Sequence, residues 1–159
     1  MENEINKHNK KEYPPMHSAE HILNRTMVNM FGCPRSKNAH IERKKSKCDY
    51  ELKNAPTEEE VKAIEDKVNE VIKQNLSVCV DFINRNEAKD LVDLSKLPEH
   101  ASETLRIVKI GDYDVCACAG DHVENTSEID KFKIISSDFS IEEGADFGRW
   151  RVRFKLIKE

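Results

Sequence analysis

Two short pairs of side chains constrain this chain more than anything else in it. His17-Ser-Ala-Glu-His21 stands near the beginning, and Cys118-Ala-Gly-Asp-His122 near the end. On a helix, positions i and i+4 share a side, so both imidazoles of the first pair can reach one point. The second pair offers a thiol and an imidazole at the same spacing, from a loop. Two such pairs are what a single tetrahedral zinc centre needs if the fold closes on itself. The first pair alone also fits an exposed surface pair, and the second fits a buried cysteine beside a surface histidine. Their coincidence in one short chain with only 6 histidines is what points to a metal. A thiolate in the set favours zinc over magnesium or calcium. The expectation is one zinc ion per chain, held by His17, His21, Cys118 and His122.

A length of 159 residues suits one domain around one core. No apolar run is long enough to span a bilayer. Met1–Tyr13 is polar and charged, without the apolar segment of a secretory signal, and reads as a flexible arm ahead of a domain over 14–159. Five cysteines, an odd count without a secretory context, predict a reduced cytoplasmic protein and not a disulfide framework. The net charge of −4 does not advertise nucleic-acid binding, but its distribution is uneven. Six basic residues and one acidic lie between Arg35 and Lys47, and five basic and no acidic between Arg149 and Lys158. Solvated surface is the plain alternative for either run.

Hydrophobic period predicts a helix from about His17 to Phe31, closed by Gly32 and Pro34. Ala19, Ile22, Leu23, Met27 and Met30 gather on one side, and His17, His21, Asn24 and Val28 on the other. The histidine face is therefore expected to lie away from the core and to meet something polar. Asn38–Lys53 reads as two strands joined by Lys44-Lys45-Ser46. Thr57 with Glu60 forms a capping box for a helix ending near Asn75. Strands are expected at Val78–Ile83, Leu105–Ile110, Tyr113–Val115 and Phe132–Ile135, with a short helix over Asn86–Asp93 and a loop to Ser102. In the last strand Trp150, Val152, Phe154 and Leu156 alternate with Arg149, Arg151, Arg153 and Lys155, one face core and the other entirely cationic. The fold class is α+β: a largely antiparallel sheet with two long helices against one face.

The protease motif H-E-x-x-H is absent, since Glu20 precedes the second histidine and lies about 100° round the helix from it. No deaminase signature, nucleophile elbow, P-loop or dinucleotide fingerprint is present, so no nucleotide cofactor is expected. His17-Ser-Ala-Glu-His21-Ile-Leu and Cys118-Ala-Gly-Asp-His122-Val-Glu-Asn-Thr-Ser-Glu-Ile instead resemble the H-x-x-x-H and C-x-x-x-H motifs of the aminoacyl-tRNA editing domains. These occur in alanyl-tRNA synthetase, its free-standing relatives, and the N-terminal region of threonyl-tRNA synthetase. The resemblance runs from about Pro15 to the end and implies a stand-alone, zinc-dependent trans-editing hydrolase. Its partner would be the 3′ acceptor end of an aminoacylated tRNA, whose ester it would cleave. In the alanyl branch the substrate is seryl- or glycyl-tRNA for alanine, and in the threonyl branch seryl-tRNA for threonine. Arg43, Lys44, Lys45, Arg149, Arg151 and Arg153 are then the candidates for the acceptor-stem phosphates.

Three departures bear on specificity. The alanyl branch typically reads Cys-Gly-Gly-Thr-His, and Asp121 here adds a carboxylate beside a ligand, a candidate to cap the loop or bond a ligand histidine. Thr-Ser-Glu-Ile replaces Thr-Gly-Glu-Ile. Cys116 stands where the threonyl branch has aspartate, as a packed thiol or a substitute ligand. A non-catalytic tRNA-binding module with a structural zinc remains the competing reading, because four protein ligands make a closed site whereas catalytic zinc keeps a water position. A third is a metal-independent relic used in protein interaction.

Overall fold

The computed structural model describes residues 13–84, 86 and 104–158. Helix α1 spans Pro14–Phe31. It starts at the first proline, three residues before the sequence-based expectation, because proline at the first helical positions gives up no needed N–H. Gly32 ends it in the left-handed conformation, φ 67°, with its N–H on the Val28 carbonyl. Strands β1 (Asn38–His40) and β2 (Ser46–Leu52) follow. Helix α2 (Glu58–Ile72) opens with the expected capping box: Glu60 N–H donates to Thr57 Oγ1 at 3.1 Å and Thr57 N–H to Glu60 Oε1 at 2.9 Å. The chain then supplies β3 (Val78–Asn84), β4 (Thr104–Ile110), β5 (Asp114–Ala117), β6 (Lys131–Ser140) and β7 (Gly148–Ile157). The arm expected ahead of Tyr13, the helix over 86–93 beyond Asn86, and the loop from Asp93 to Ser102 lie outside the described residues.

The fold is α+β, with every strand pair antiparallel, but the strands form two sheets and not the one expected. One has the order β1-β2-β7-β6 and the other β3-β4-β5. Alternation within a strand reports which faces are wet and says nothing of which strands pair, so the sequence could not separate them. Helix α2 packs on β6, and α1 packs on α2 and reaches β5. Trp150, Phe154, Tyr50 and Phe132 from the larger sheet close the core against Met16, Ile22, Leu23 and Met27 of α1 and Ile64 and Val68 of α2. No helix among the described residues is long and apolar enough to cross a membrane.

Helix α1 departs from its expected polarity. His21 is 3% exposed and Asn24 is equally buried, while Met30, assigned to the core stripe, is 39% exposed. The histidine face is covered as well, by β5 and the loop after it. Burial is possible because that face finds polar partners: Asn24 Oδ1 accepts from Tyr50 Oη at 2.6 Å and from Ser36 N–H at 3.3 Å. The helix is therefore a central element with a polar seam.

Candidate metal centre

The seam of α1 meets the loop that leaves β5. Arg106 of β4 fixes this loop. Its guanidinium donates to the carbonyls of Cys118 (2.7 Å) and Gly120 (2.8 Å), and its own carbonyl accepts the Cys118 N–H at 3.1 Å. The loop then turns back onto α1. Val123 N–H donates to Ser18 Oγ at 3.2 Å, and Ser18 Oγ shares a 2.9 Å hydrogen bond with His122 Nδ1. As a result His17, His21, Cys118 and His122 each present one ligand atom, and these atoms all lie within 4.8 Å of one another.

The tautomer of His17 follows from its neighbour. Its Nδ1 lies 3.1 Å from the Asp121 carbonyl oxygen, which can only accept, so the proton sits on Nδ1 and the Nε2 lone pair faces inward. That Nε2 is 3.5 Å from Cys118 Sγ, and His122 Nε2 is 3.6 Å from the same sulfur. Tetrahedral zinc with ordinary bond lengths sets its nitrogen and sulfur corners about 3.6 Å apart. The spacing, the donor set and the inward lone pair fit a zinc ion.

The electrostatics agree. Burial alone would push the Cys118 thiol up, but hydrogen bonds from His122, His17 and His21 outweigh it and hold the group at about 3, a thiolate. His122 is pushed down to about 4 by burial and by the neighbouring histidine charges, despite the thiolate, and stays neutral. His21 goes the other way. Burial lowers it, but the Asp114 carboxylate and the Cys118 thiolate carry it up to about 10. In the protein without metal the thiolate is thus matched by a protonated His21, and a metal ion would take that proton's place.

Asp114 is the residue the sequence reading missed. It is buried at the start of β5 and holds three cationic groups. Arg35 donates to both its oxygens at 2.6 and 3.2 Å, Arg25 Nε to Oδ1 at 3.0 Å, and His21 Nδ1 stands 3.6 Å from Oδ2. At that distance His21 Nδ1 makes no full hydrogen bond and is a buried nitrogen without another partner. Against its burial, His21 and the Arg35 guanidinium hold the Asp114 carboxyl well below the usual range. Nothing in a lone aspartate of a short strand signals this role. Arg35, counted with the cationic run up to Lys47, is instead a structural counter-ion.

The other candidates are spread differently. Asp121 contributes its backbone carbonyl to His17, and its side chain is exposed. Cys116 lies outside the ligand set, its thiol 3.4 Å from the Ala117 carbonyl. Arg43, Lys44 and Lys45 are exposed in the β1–β2 connection, with the Arg43 guanidinium 4.4 Å above the Tyr13 ring. Arg149, Arg151 and Arg153 do share one face of β7, but that face is not entirely cationic. Arg151 pairs with Asp49 of β2 at 2.8 Å, and Asp138 of β6 takes Arg153 at 2.8 Å and Arg149 at 3.5 Å. Asp138 reaches that face because a bulge at Ile135 shifts the β6–β7 register, setting it opposite Arg151. Sequence alternation along β7 alone cannot show charges arriving from adjacent strands.

Glu20 also lies closer to the centre than its helical angle from His21 suggested. Three residues after His17, its Oε1 is 3.8 Å from His17 Nε2, the nitrogen that faces Cys118, and its side chain is only 13% exposed.

Comparison with known proteins bears on the same residues. Residues 105–146, which include Cys118 and His122, match the family described as threonyl and alanyl tRNA synthetase second additional domain. The chain is 31% identical over 137 residues to the alanine–tRNA ligase of Bacillus velezensis, a match covering 86% of this chain and 15% of the ligase. Identity is 34% over 144 residues to the alanine–tRNA ligases of Oceanobacillus iheyensis and Streptococcus pneumoniae, covering 90% of this chain and 16% of each ligase. The chain thus spans about a sixth of the length of the curated relatives it matches. By its matching motifs and its similarity along most of its length, this chain is an AlaX-like domain related to the editing domains of alanyl- and threonyl-tRNA synthetases.

Proposed function

We propose that this protein is a zinc-dependent hydrolase that removes a wrongly attached amino acid from tRNA in the cytoplasm, with seryl- or glycyl-tRNA for alanine as its substrate. The observation that carries the reading is the convergence of His17, His21, Cys118 and His122 on one point, their ligand atoms within 4.8 Å of each other. A zinc ion there would supply a Lewis acid for the ester carbonyl and acidify water. The chain's own groups keep the site ready. The Asp121 carbonyl holds His17 with Nε2 inward, Ser18 orients His122, and Arg106 fixes the loop that carries the thiolate. Arg43, Lys44, Lys45 and the arginines of β7 are proposed to meet the acceptor-stem phosphates, a contact that positions the tRNA without reading its sequence.

The test is ester loss from seryl-, glycyl- and alanyl-tRNA for alanine and from seryl-tRNA for threonine. Release from the mischarged alanine tRNAs, with alanyl-tRNA spared, is expected. Release from the threonine tRNA alone would move the protein to the threonyl branch. No release from any mischarged tRNA, with tRNA binding intact, would leave the second reading: a tRNA-binding module whose four-ligand zinc is structural. That second reading is favoured by the ligand count itself, since sites with four protein ligands are commonly closed.

A further inference from the structure

The two ligand histidines on α1 each face a carboxylate, and the two carboxylates are differently committed. Asp114, beside His21, is consumed by Arg25 and Arg35. Glu20, beside His17, pairs with no lysine or arginine and accepts no hydrogen bond among the described residues, although its side chain is 87% removed from solvent. Its Oε1 lies 3.8 Å from the same His17 Nε2 that faces Cys118, so the carboxylate opens onto the candidate ligand centre. Its charge helps to raise His17, His21 and Arg35, but Arg35 and His21 are both turned to Asp114. Burial, followed by the Glu20 charge itself, pushes the Cys48 thiol up, and Tyr50 is raised by burial and by the Cys48 and Glu20 charges, so both stay neutral. A largely desolvated carboxylate whose single ion pair among the described residues is the 3.8 Å contact with His17 has room for a closer cation.

We propose that Glu20 is the substrate-binding residue for the α-ammonium of the aminoacyl group, which makes it the group that separates aminoacyl esters from other esters of tRNA. The proposal rests on the deacylase reading above. An aminoacyl ester carries one cationic group close to its scissile carbonyl. Arg25 and Arg35, and any bound metal ion, would repel that cation. Glu20 supplies the missing counter-charge on the His17 side, while the His21 side is already occupied by Asp114 and its arginines.

The test compares seryl-tRNA for alanine with its α-hydroxyacyl analogue, in which a hydroxyl replaces the ammonium and the ester is unchanged. The wild-type protein should prefer the aminoacyl ester by about 100-fold in kcat/KM, as expected when one partner of a buried charge pair is replaced by a neutral group. Glu20→Gln should raise KM for seryl-tRNA by about 10- to 100-fold and leave the hydroxy analogue unchanged, so that the preference collapses. Calorimetric titration with non-hydrolysable 3′-amide analogues, amino against hydroxy, should show the same split without turnover. Zinc content and Tm should not change, and Glu20→Asp should restore part of the preference. An equal fall in kcat on both esters with KM unchanged would mean that Glu20 moves a proton, and would overturn the proposal. So would a retained preference in Glu20→Gln, or loss of zinc from it. A wild-type protein that cleaves neither ester removes the deacylase reading itself, an outcome distinct from an active enzyme whose preference ignores Glu20.

Discussion

At the scale of single residues, Asp114 organises the centre without belonging to the ligand set. It places a negative charge behind His21 and binds two part-buried arginines, Arg25 and Arg35. Breaking such an arrangement from one side strands the partners, at a cost of about 3 kcal/mol. Asp114→Asn should therefore lower stability by that amount in urea unfolding. It should also weaken metal affinity by about 10- to 100-fold in competition with a chelator, as loss of a carboxylate behind a ligand histidine does. The pH dependence follows from the same residue. Its folded carboxyl lies below the ordinary value, so the unfolded chain takes up the proton first as pH falls. The stabilisation is complete above the unfolded value of about 4 and disappears on further acidification. Wild-type stability should fall below pH 5 more steeply than that of Asp114→Asn, measured by urea midpoints between pH 3 and 6. The convergence of His17, His21, Cys118 and His122 was legible in the sequence because their spacing is itself the signal. Asp114, Ser18 and Arg106 were not, because each acts across about ninety residues or more of sequence, or within a sheet whose pairing no local pattern reveals.

At the scale of elements, the two helices and the strands were legible wherever period and caps agreed. The Thr57 box, the alternation of β2 and the aromatic face of β7 all stand as expected. The misjudged features came from contacts between elements. The histidine face of α1 was expected to lie away from the core and meet something polar; it does meet polar partners on β2, β5 and the Cys118 loop, and these let it be buried. Strand β6 was expected to stop at Ile135, where the bulge lies, but it continues to Ser140. Past the bulge, β6 carries Asp138 to the arginine face, which leads to a prediction about charge. If that face meets tRNA, Asp138→Asn should strengthen binding and steepen its salt dependence, and Arg151→Glu with Arg153→Glu should weaken binding and flatten it. Filter binding at several salt concentrations distinguishes these from a face that meets only solvent, which would show no change. The β6–β7 connection depends on Gly148, where a Cβ would stand 2.6 Å from the Ser140 carbonyl oxygen and 2.7 Å from the Phe139 ring. The carbonyl is backbone and cannot rotate away, so Gly148→Ala should cost about 1–3 kcal/mol in urea unfolding.

At the scale of the whole molecule, the candidate metal centre joins the first helix to a loop about a hundred residues later, across the boundary between the two sheets. The α1–α2 layer and the larger sheet share one core, while β4 carries a smaller cluster around Leu105 and Ile107. The ligand loop leaves the smaller sheet and lands on α1, so a bound ion should stabilise the association of the two parts as well as the loop. Chelation should lower Tm, and Cys118→Ala should show the lower Tm without chelator and carry no zinc, where the wild type carries about one per chain. Because the metal-free site keeps His21 protonated up to about 10, loading at neutral pH must expel a proton, and affinity should rise with pH. Calorimetry in buffers of different ionisation enthalpy reads that proton directly. The measurement closest to the central claim is a time course of ester loss from seryl-tRNA for alanine, run on the protein as purified, after verified metal removal, and after zinc is returned. Hydrolysis that stops with the metal and resumes with zinc is the predicted result. An unchanged rate in protein shown to be metal-free would contradict the assignment of His17, His21, Cys118 and His122 as the reactive centre.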